Sequence, residues 1–434
     1  MNKKKSQYRW FMVTMLFLAL VINYMDRAAL SVAMPFVTQS FALTPGEKGM
    51  VFSGFFIGYA AFNFIGGYLA DRYGPKRVFL WAMCIWSGLC ALTAMAFNFW
   101  SLLIVRALFG VGEGPVPTTA NKVVNNWFPI RERARAVGIN QAGGPLGGAL
   151  AGPVIGFLAI SLGWQWSFVI VGAIGLVWAL AWRFIATDHP AQHPRVSAEE
   201  LADIQAGREV QVETGSDSSE KTLGWVLTRP AVLCTGFSLF CYNYILYFFM
   251  TWFPSYLVDA KGVSLQQMSW FTAFPWLVGA CGMAAGGFLI DRIYQKTGRQ
   301  LFSRKVVLVT CLIIAAACIG LSGRAEGVTA VVAFMSVAIG FLMLTASAYW
   351  ALIQDTVPGR FVGTAGGLMH GMGNCAGLFA PTLTGFIIEA TGTYNAAFVV
   401  AGLLGVAGAL TVWLFVKPAS KIPETANTLI DTQA

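Results

Sequence analysis

The chain has 434 residues, 56% of them hydrophobic and only 11% charged, with 29 Lys and Arg against 20 Asp and Glu and a formal net charge of +9. Soluble domains carry about 25% charged residues, so this composition excludes a water-bathed fold and makes the bilayer the solvent. The basic residues sit singly at the ends of apolar runs, which excludes the one-faced basic patch of a nucleic-acid binder.

In chain order, apolar runs approaching the roughly 20 residues that span a bilayer predict twelve helices near 8–38, 46–69, 76–96, 99–121, 134–160, 165–186, 231–258, 265–290, 304–323, 327–354, 360–389 and 394–416. Lys3-Lys4-Lys5 before an apolar run imitates a signal peptide. Asp26 and Arg27 interrupt that run and no small-residue cleavage site precedes them, so the first helix is expected to be retained. An even number of spans returns both termini to one side. That threading gathers most Lys and Arg there, among them Arg72, Lys76, Arg77, Arg131, Arg133, Arg299 and Lys305, and leaves Lys48, Lys261 and Arg324 opposite. The positive-inside bias then predicts cytoplasmic termini in a multi-pass protein of a bacterial inner membrane.

The expected fold class is an all-α membrane protein with an N-terminal six-helix bundle at 1–186, a cytoplasmic linker at 187–229, a C-terminal six-helix bundle at 230–417 and a tail at 418–434. Within the linker, Ser197-Ala-Glu-Glu200 has the pattern of a capping box and predicts a short helix through Gln205. All eight cysteines fall in apolar runs without a CxxC and read as small buried hydrophobes. His189 and His193, set among linker prolines, do not form a helical metal pair, and no metal or cofactor is called for. We expect a monomer.

The halves repeat. Gly66-Gly67-Tyr-Leu-Ala-Asp71-Arg72 recurs as Gly286-Gly287-Phe-Leu-Ile-Asp291-Arg292, and Gly152-Pro153 has an echo in Ala380-Pro381. Parallel six-helix repeats suit a secondary transporter. The stretch from Gly67 through Asp71, Arg72 and Gly74 to Arg77 resembles the signature of the major facilitator superfamily between its second and third helices. That resemblance implies a gating role for Gly67, Asp71, Arg72 and Gly74, with Asp291 and Arg292 as the second copy. It also implies that Asp71 faces the N-terminus of the eleventh helix, whose dipole favours a carboxylate, and Gly67 is expected to let neighbouring backbones approach closely.

Away from the helix ends, four charged residues lie well inside predicted helices: Asp26 and Arg27 in the first, Arg106 and Glu113 in the fourth. Charges at bilayer depth cost at least about 2.5 kcal/mol each and survive by facing a partner or a cavity. Arg106 and Glu113 are seven residues apart, roughly 10 Å along a helix at about 1.5 Å per residue, so each is expected to meet Asp26 or Arg27 instead. An ionic network that only sets helix register is the alternative. For Arg27 the guanidinium fork suits a carboxylate or another oxyanion. Glu113, in Gly110-Val-Gly-Glu113-Gly114, is a candidate proton carrier because burial makes a carboxyl sensitive to its partners.

Asn23-Tyr24-Met-Asp26-Arg27, Arg106-Ala-Leu-Phe-Gly-Val-Gly-Glu113-Gly-Pro, Asn126-Trp127-Phe128-Pro129 and Thr251-Trp252-Phe253-Pro254 together resemble the anion:cation symporter family, which includes hexonate and phthalate permeases and sialin-like carriers. The resemblance implies that Arg27 contacts a substrate anion and that Asp26 and Glu113, with Arg106 beside them, take part in proton coupling. It further implies that Tyr24, Tyr59, Ser347, Tyr349 and Trp350 line the cavity. A glutamine typical of galactonate-type members falls on Gly144, with Asn140 and Gln141 one turn earlier, and an asparagine of the eleventh helix is replaced by His370. Tyr242, Asn243, Tyr247 and Asn374 are further candidates to touch substrate, with helix-to-helix hydrogen bonding as the alternative. The expected function is a proton-coupled importer of a small organic anion, a sugar acid, other carboxylate or sulfonate, with an exchanger as the alternative. A membrane enzyme or sensor would need a catalytic grouping or a sizeable signalling domain, and no Ser-His-Asp set, HExxH or ATP-binding loop is present.

Overall fold

The computed structural model describes residues 7–205, 228–357 and 361–417; most of the predicted central linker, 206–227, and the tail at 418–434 lie outside the described residues. The helices are α1 (Tyr8–Phe41), α2 (Pro45–Tyr73), α3 (Pro75–Leu92), α4 (Phe99–Glu113), α5 (Val116–Trp127), α6 (Ile130–Leu162), α7 (Trp164–Ile185), α8 (Ala198–Gln205), α9 (Pro230–Asp259), α10 (Leu265–Phe271), α11 (Ala273–Thr297), α12 (Gln300–Arg324), α13 (Val328–Leu344), α14 (Ala346–Thr356), α15 (Val362–Asn374), α16 (Ala376–Thr391) and α17 (Asn395–Phe415). Among the described residues eleven spans are long and apolar enough to cross a membrane, and α2, bent by 44°, makes a twelfth when taken as one span. Outward-facing side chains such as Phe97, Phe184 and Phe288 are more than 70% exposed, a surface that only lipid tolerates at this density.

Four predicted spans are broken where the sequence reading had them continuous. The fourth breaks between α4 and α5 at Gly114-Pro115, because Pro115 has no N–H for the Val111 carbonyl; Thr118 and Thr119 hydroxyls donate to the Pro115 carbonyl at 3.0 and 2.7 Å. The eighth breaks at Thr272, three residues before Pro275, and the tenth at Thr345; in each the hydroxyl turns back onto a carbonyl of the preceding turn, at 3.1 and 2.7 Å. The eleventh breaks at Cys375.

Close packing within each half runs through glycines. A Cβ on Gly58 would strike the Ala107 carbonyl and one on Gly110 the Phe55 carbonyl, so α2 and α4 touch backbone to backbone. Gly282 and Gly286 meet the Gly340 and Leu344 carbonyls in the same way between α11 and α13. The expectation for Gly67 needs correction: the nearest atom to a Cβ there is 3.9 Å away, whereas Gly66 abuts the Pro115 backbone. Gly74 is required on other grounds, with φ of 83° and with Asp188, which caps the Lys76 N–H at 2.8 Å, filling the space of a side chain. The cysteine expectation also fails in part, since Cys281 and Cys375 are exposed while the other six are buried or half-buried.

The halves meet through α2 with α16, α6 with α10 and α11, and α1 with α9, while α5, α14 and α15 have no comparable contact across the interface. These contacts lie at the end remote from Tyr8. There Glu389 accepts from the Gly46 N–H at 2.8 Å, Thr382 donates to Ser53 Oγ at 2.8 Å, and Lys48 pairs with Asp259 at 3.6 Å. At the Tyr8 end the first part of the linker is not a free tether. Glu200 accepts from the N–H groups of Tyr8 and Arg9 at 3.2 and 3.1 Å, Asp203 binds Arg9 at 2.7 Å and also Arg131, and His193 stacks on Tyr8 with ring centroids 4.0 Å apart.

Candidate functional site

Residues on one helical stripe recur at three and four. On α1 that stripe is Leu16, Leu20, Asn23, Tyr24 and Arg27; on α9 it is Leu239, Tyr242, Asn243, Leu246, Tyr247 and Met250. Both stripes face a cavity of about 230 Å³ between the halves. Asn121 of α5, Asn140 and Gln141 of α6, Tyr349 and Trp350 of α14, and His370 and Asn374 of α15 complete its polar wall, with Tyr59 from α2. Phe56 against Tyr247 at 4.5 Å and Tyr24 edge-on to Trp276 at 6.1 Å join the halves beside it.

Arg27 is the only Lys or Arg among the described lining residues. Its Nε donates to Glu113 Oε2 at 2.6 Å, and both side chains are nearly or wholly buried. The guanidinium also lies 4.5, 5.0 and 5.4 Å from the ring centres of Tyr59, Phe55 and Tyr24. Ring faces stabilise a desolvated cation without neutralising it, so the charge remains available to an anion.

The other two membrane charges, Asp26 and Arg106, make no direct ion pair among the described residues. Asp26 lies about 100° around α1 from Arg27 and faces α3, where Trp86 Nε1 donates to it at 2.9 Å and the Cys90 thiol at 3.8 Å. Arg106 is buried over Phe109 at 4.5 Å, and its Nε and Nη1 have no hydrogen-bond partner among the described residues. Two mutually paired acid–base couples are therefore not what forms. There is one direct pair, Arg27–Glu113, with Asp26 and Arg106 behind it, linked to it and to each other electrostatically.

The structure brings all the sequence-derived substrate candidates to the cavity wall except Ser347, which is exposed and does not line it because its neighbours Ala346, Tyr349 and Trp350 occupy the inward stripe of α14. Asp71 does not reach α15. It pairs with Lys122 of α5 at 2.7 Å and is well exposed, because in this conformation α5 and α15 stand apart. Arg72 bonds to the Tyr68 hydroxyl at 3.0 Å. Asp291 and Arg292 are exposed. Sequence reading missed Asn121 as a lining residue and Trp86 and Cys90 as partners of Asp26. The Pro115 break was the available signal for Asn121, since it re-aims α5; nothing local pointed to Trp86.

The family model for the Major Facilitator Superfamily matches residues 16–303 and 299–429. The chain is 47% identical to the hexuronate transporter of Bacillus subtilis, over 94% of each chain. It is 35% identical to a probable sulfoacetate transporter of Cupriavidus necator, over 96% of this chain and 95% of that one. Among solved structures, a bacterial homolog to the human lysosomal transporter Spinster, in an inward-facing and occupied conformation, superposes with a TM-score of 0.71 at 20% identity, covering 95% of this chain and 96% of that one. This last likeness concerns the fold.

Proposed function

This chain belongs to the major facilitator superfamily, and from that membership we propose that it imports a small organic anion of the hexuronate class by proton symport. The observation that carries the reading is Arg27, buried at the cavity wall and held through Nε by Glu113 at 2.6 Å. The terminal Nη edge of the guanidinium suits a carboxylate bidentately. An arriving carboxylate competes with Glu113 for one cation, and the displaced Glu113 takes a proton because no second cation stands among the described lining residues. Release of substrate and proton returns Glu113 to Arg27. Asp26, shielded behind α1 by Trp86, is a second proton site coupled to the first.

Several neutral groups, Asn121, Asn140, Gln141, Asn243 and Asn374 with five tyrosines, face the same cavity. A sugar acid matches these donors and acceptors with its hydroxyls, whereas a two-carbon sulfonate leaves them unpaired at a cost in affinity. The name of the 47% identical relative points the same way.

Transport proceeds by rocking of the bundles at 1–186 and 230–417 about this cavity. The contacts of Glu389, Thr382 and Lys48 hold one end shut; with the termini in the cytoplasm, as the loop charges support, the open end is the inner one. On the return stroke Asp71 exchanges Lys122 for the N-terminus of α15. A complete cavity within one chain supports a monomer.

Uptake of D-galacturonate into proteoliposomes of the purified protein tests the proposal. An imposed inward proton gradient should drive accumulation that an uncoupler abolishes. Accumulation indifferent to the uncoupler would point to exchange, and absence of any sugar-acid uptake would remove the substrate class.

A further inference from the structure

The C-terminal wall of the cavity contains a short hydrogen-bond relay whose direction follows from chemistry. His370 and Asn374 are one turn apart on α15 and both line the cavity, as does Tyr247 from α9. The Asn374 side-chain atom 2.9 Å from the His370 carbonyl oxygen is its amide nitrogen, because a carbonyl only accepts. Oδ1 of Asn374 is therefore the atom that receives the Tyr247 hydroxyl, at 3.0 Å. The second amide hydrogen points at the nearer ring nitrogen of His370, Nδ1 at 3.0 Å against 3.5 Å for Nε2. A ring nitrogen facing a donor presents its lone pair, so the proton of the neutral imidazole sits on Nε2. Trp350 flanks the ring at 6.0 Å.

We propose that His370, held by Asn374 and Tyr247 as an uncharged Nε2–H donor, makes this cavity select sugar acids with one carboxylate over the corresponding diacids; the inference rests on the function proposed above. Arg27 engages one carboxylate. The rest of the substrate meets the wall of the C-terminal half, which offers hydroxyls, amides and the imidazole N–H but no cation among its described lining residues. An aldehyde, hemiacetal or alcohol oxygen accepts from Nε2–H and satisfies both partners. A second carboxylate would be buried there without a counter-charge, which is costly in low dielectric. Rejection thus comes from a missing charge on the far wall, while the donor itself supplies affinity.

The test uses the purified full chain and two probes, D-galacturonate and galactarate, which differ in the oxidation state of one terminal carbon. Dissociation constants are measured by titration calorimetry, with thermal denaturation confirming that each variant is folded. The wild type should bind galacturonate at least about tenfold more tightly than galactarate. His370→Arg should shift the ratio of the two constants by about tenfold or more toward galactarate. His370→Leu should weaken galacturonate about fivefold, as expected for a lost hydrogen bond, whereas His370→Gln, which keeps an N–H donor, should stay within about twofold of wild type. Wild-type constants within twofold of each other, an unchanged ratio in folded His370→Arg, or full galacturonate affinity in His370→Leu would each overturn the inference. Failure of the wild type to bind either probe, while binding a different anion, would instead overturn the hexuronate reading on which it rests.

Discussion

The N-terminal half turns Arg27, paired with Glu113, toward the cavity and keeps Asp26 and Arg106 buried behind it, while the facing wall of the C-terminal half meets the same space with Tyr242, Asn243, Tyr247, His370 and Asn374. Yet the two halves are built alike. Gly66 and Gly286, at equivalent places in the repeat, both press against neighbouring backbone, and the fourth and tenth spans are both broken near mid-length. The halves thus match at these packing positions and differ at the cavity-facing ones. Packing tolerates little change because a Cβ at such glycines strikes backbone, whereas a wall residue is answerable only to the ligand. Under the proposed function, charge handling falls to the N-terminal half alone, while both halves offer neutral groups to the rest of the substrate.

Removing the charged pole should have the largest effect. Arg27→Lys keeps the charge and loses the fork, and we expect uptake to fall by at least about thirtyfold, corresponding to roughly 2 kcal/mol, with normal amounts of protein in the membrane. Near-normal uptake would take Arg27 out of the substrate site and dissolve the contrast between the halves.

Glu113→Gln separates binding from coupling. It mimics a carboxyl that never loses its proton, so counterflow of labelled galacturonate should persist while accumulation driven by a pH gradient disappears. Gradient-driven accumulation in this variant would make Glu113 structural and shift attention to Asp26.

The packing side of the comparison is sharpened by a pair of alanines. Gly66→Ala should lower stability by about 1–3 kcal/mol, the usual cost of overpacking, because the new Cβ runs into the Pro115 backbone, while Gly67→Ala has room and should be nearly silent in a thermal unfolding assay. Equal losses would mean that Gly67 makes its close contact in another state of the transport cycle.

The smallest effect concerns the docked linker. Burial against Tyr8 and Trp127, and next the nearby Arg195, hold the His193 imidazole below its ordinary value of 6.5. The released linker then binds a proton more readily than the docked one, so docking is at full strength above about pH 6.5 and weakens as the pH falls from there toward the lowered value. Hydrogen exchange over 186–205 should rise, relative to the membrane helices, between pH 7.5 and 5.5, and His193→Phe should remove that dependence. An identical pH response in His193→Phe would assign it elsewhere.

What the sequence by itself determined follows from properties that are local along the chain. Apolar length marked the spans, the excess of basic residues at their ends supported an orientation, and two arginines, an aspartate and a glutamate at bilayer depth marked where function was to be sought, because such charges are costly to retain without use. Arg27 was named from its chemistry and Tyr24 from the family resemblance, and their spacing of three puts both side chains on one face of a helix. Only the tertiary structure decided which way each face turns and what it meets. It set Glu113 against Arg27, gave Asp26 to Trp86, placed Lys122 on Asp71, turned Ser347 away from the cavity, and made Gly66 rather than Gly67 the packing glycine. Each of these depends on the rotation and depth of one helix relative to another far away in the chain, and those are settled by interdigitation of whole surfaces, for which no short stretch of sequence carries a signal.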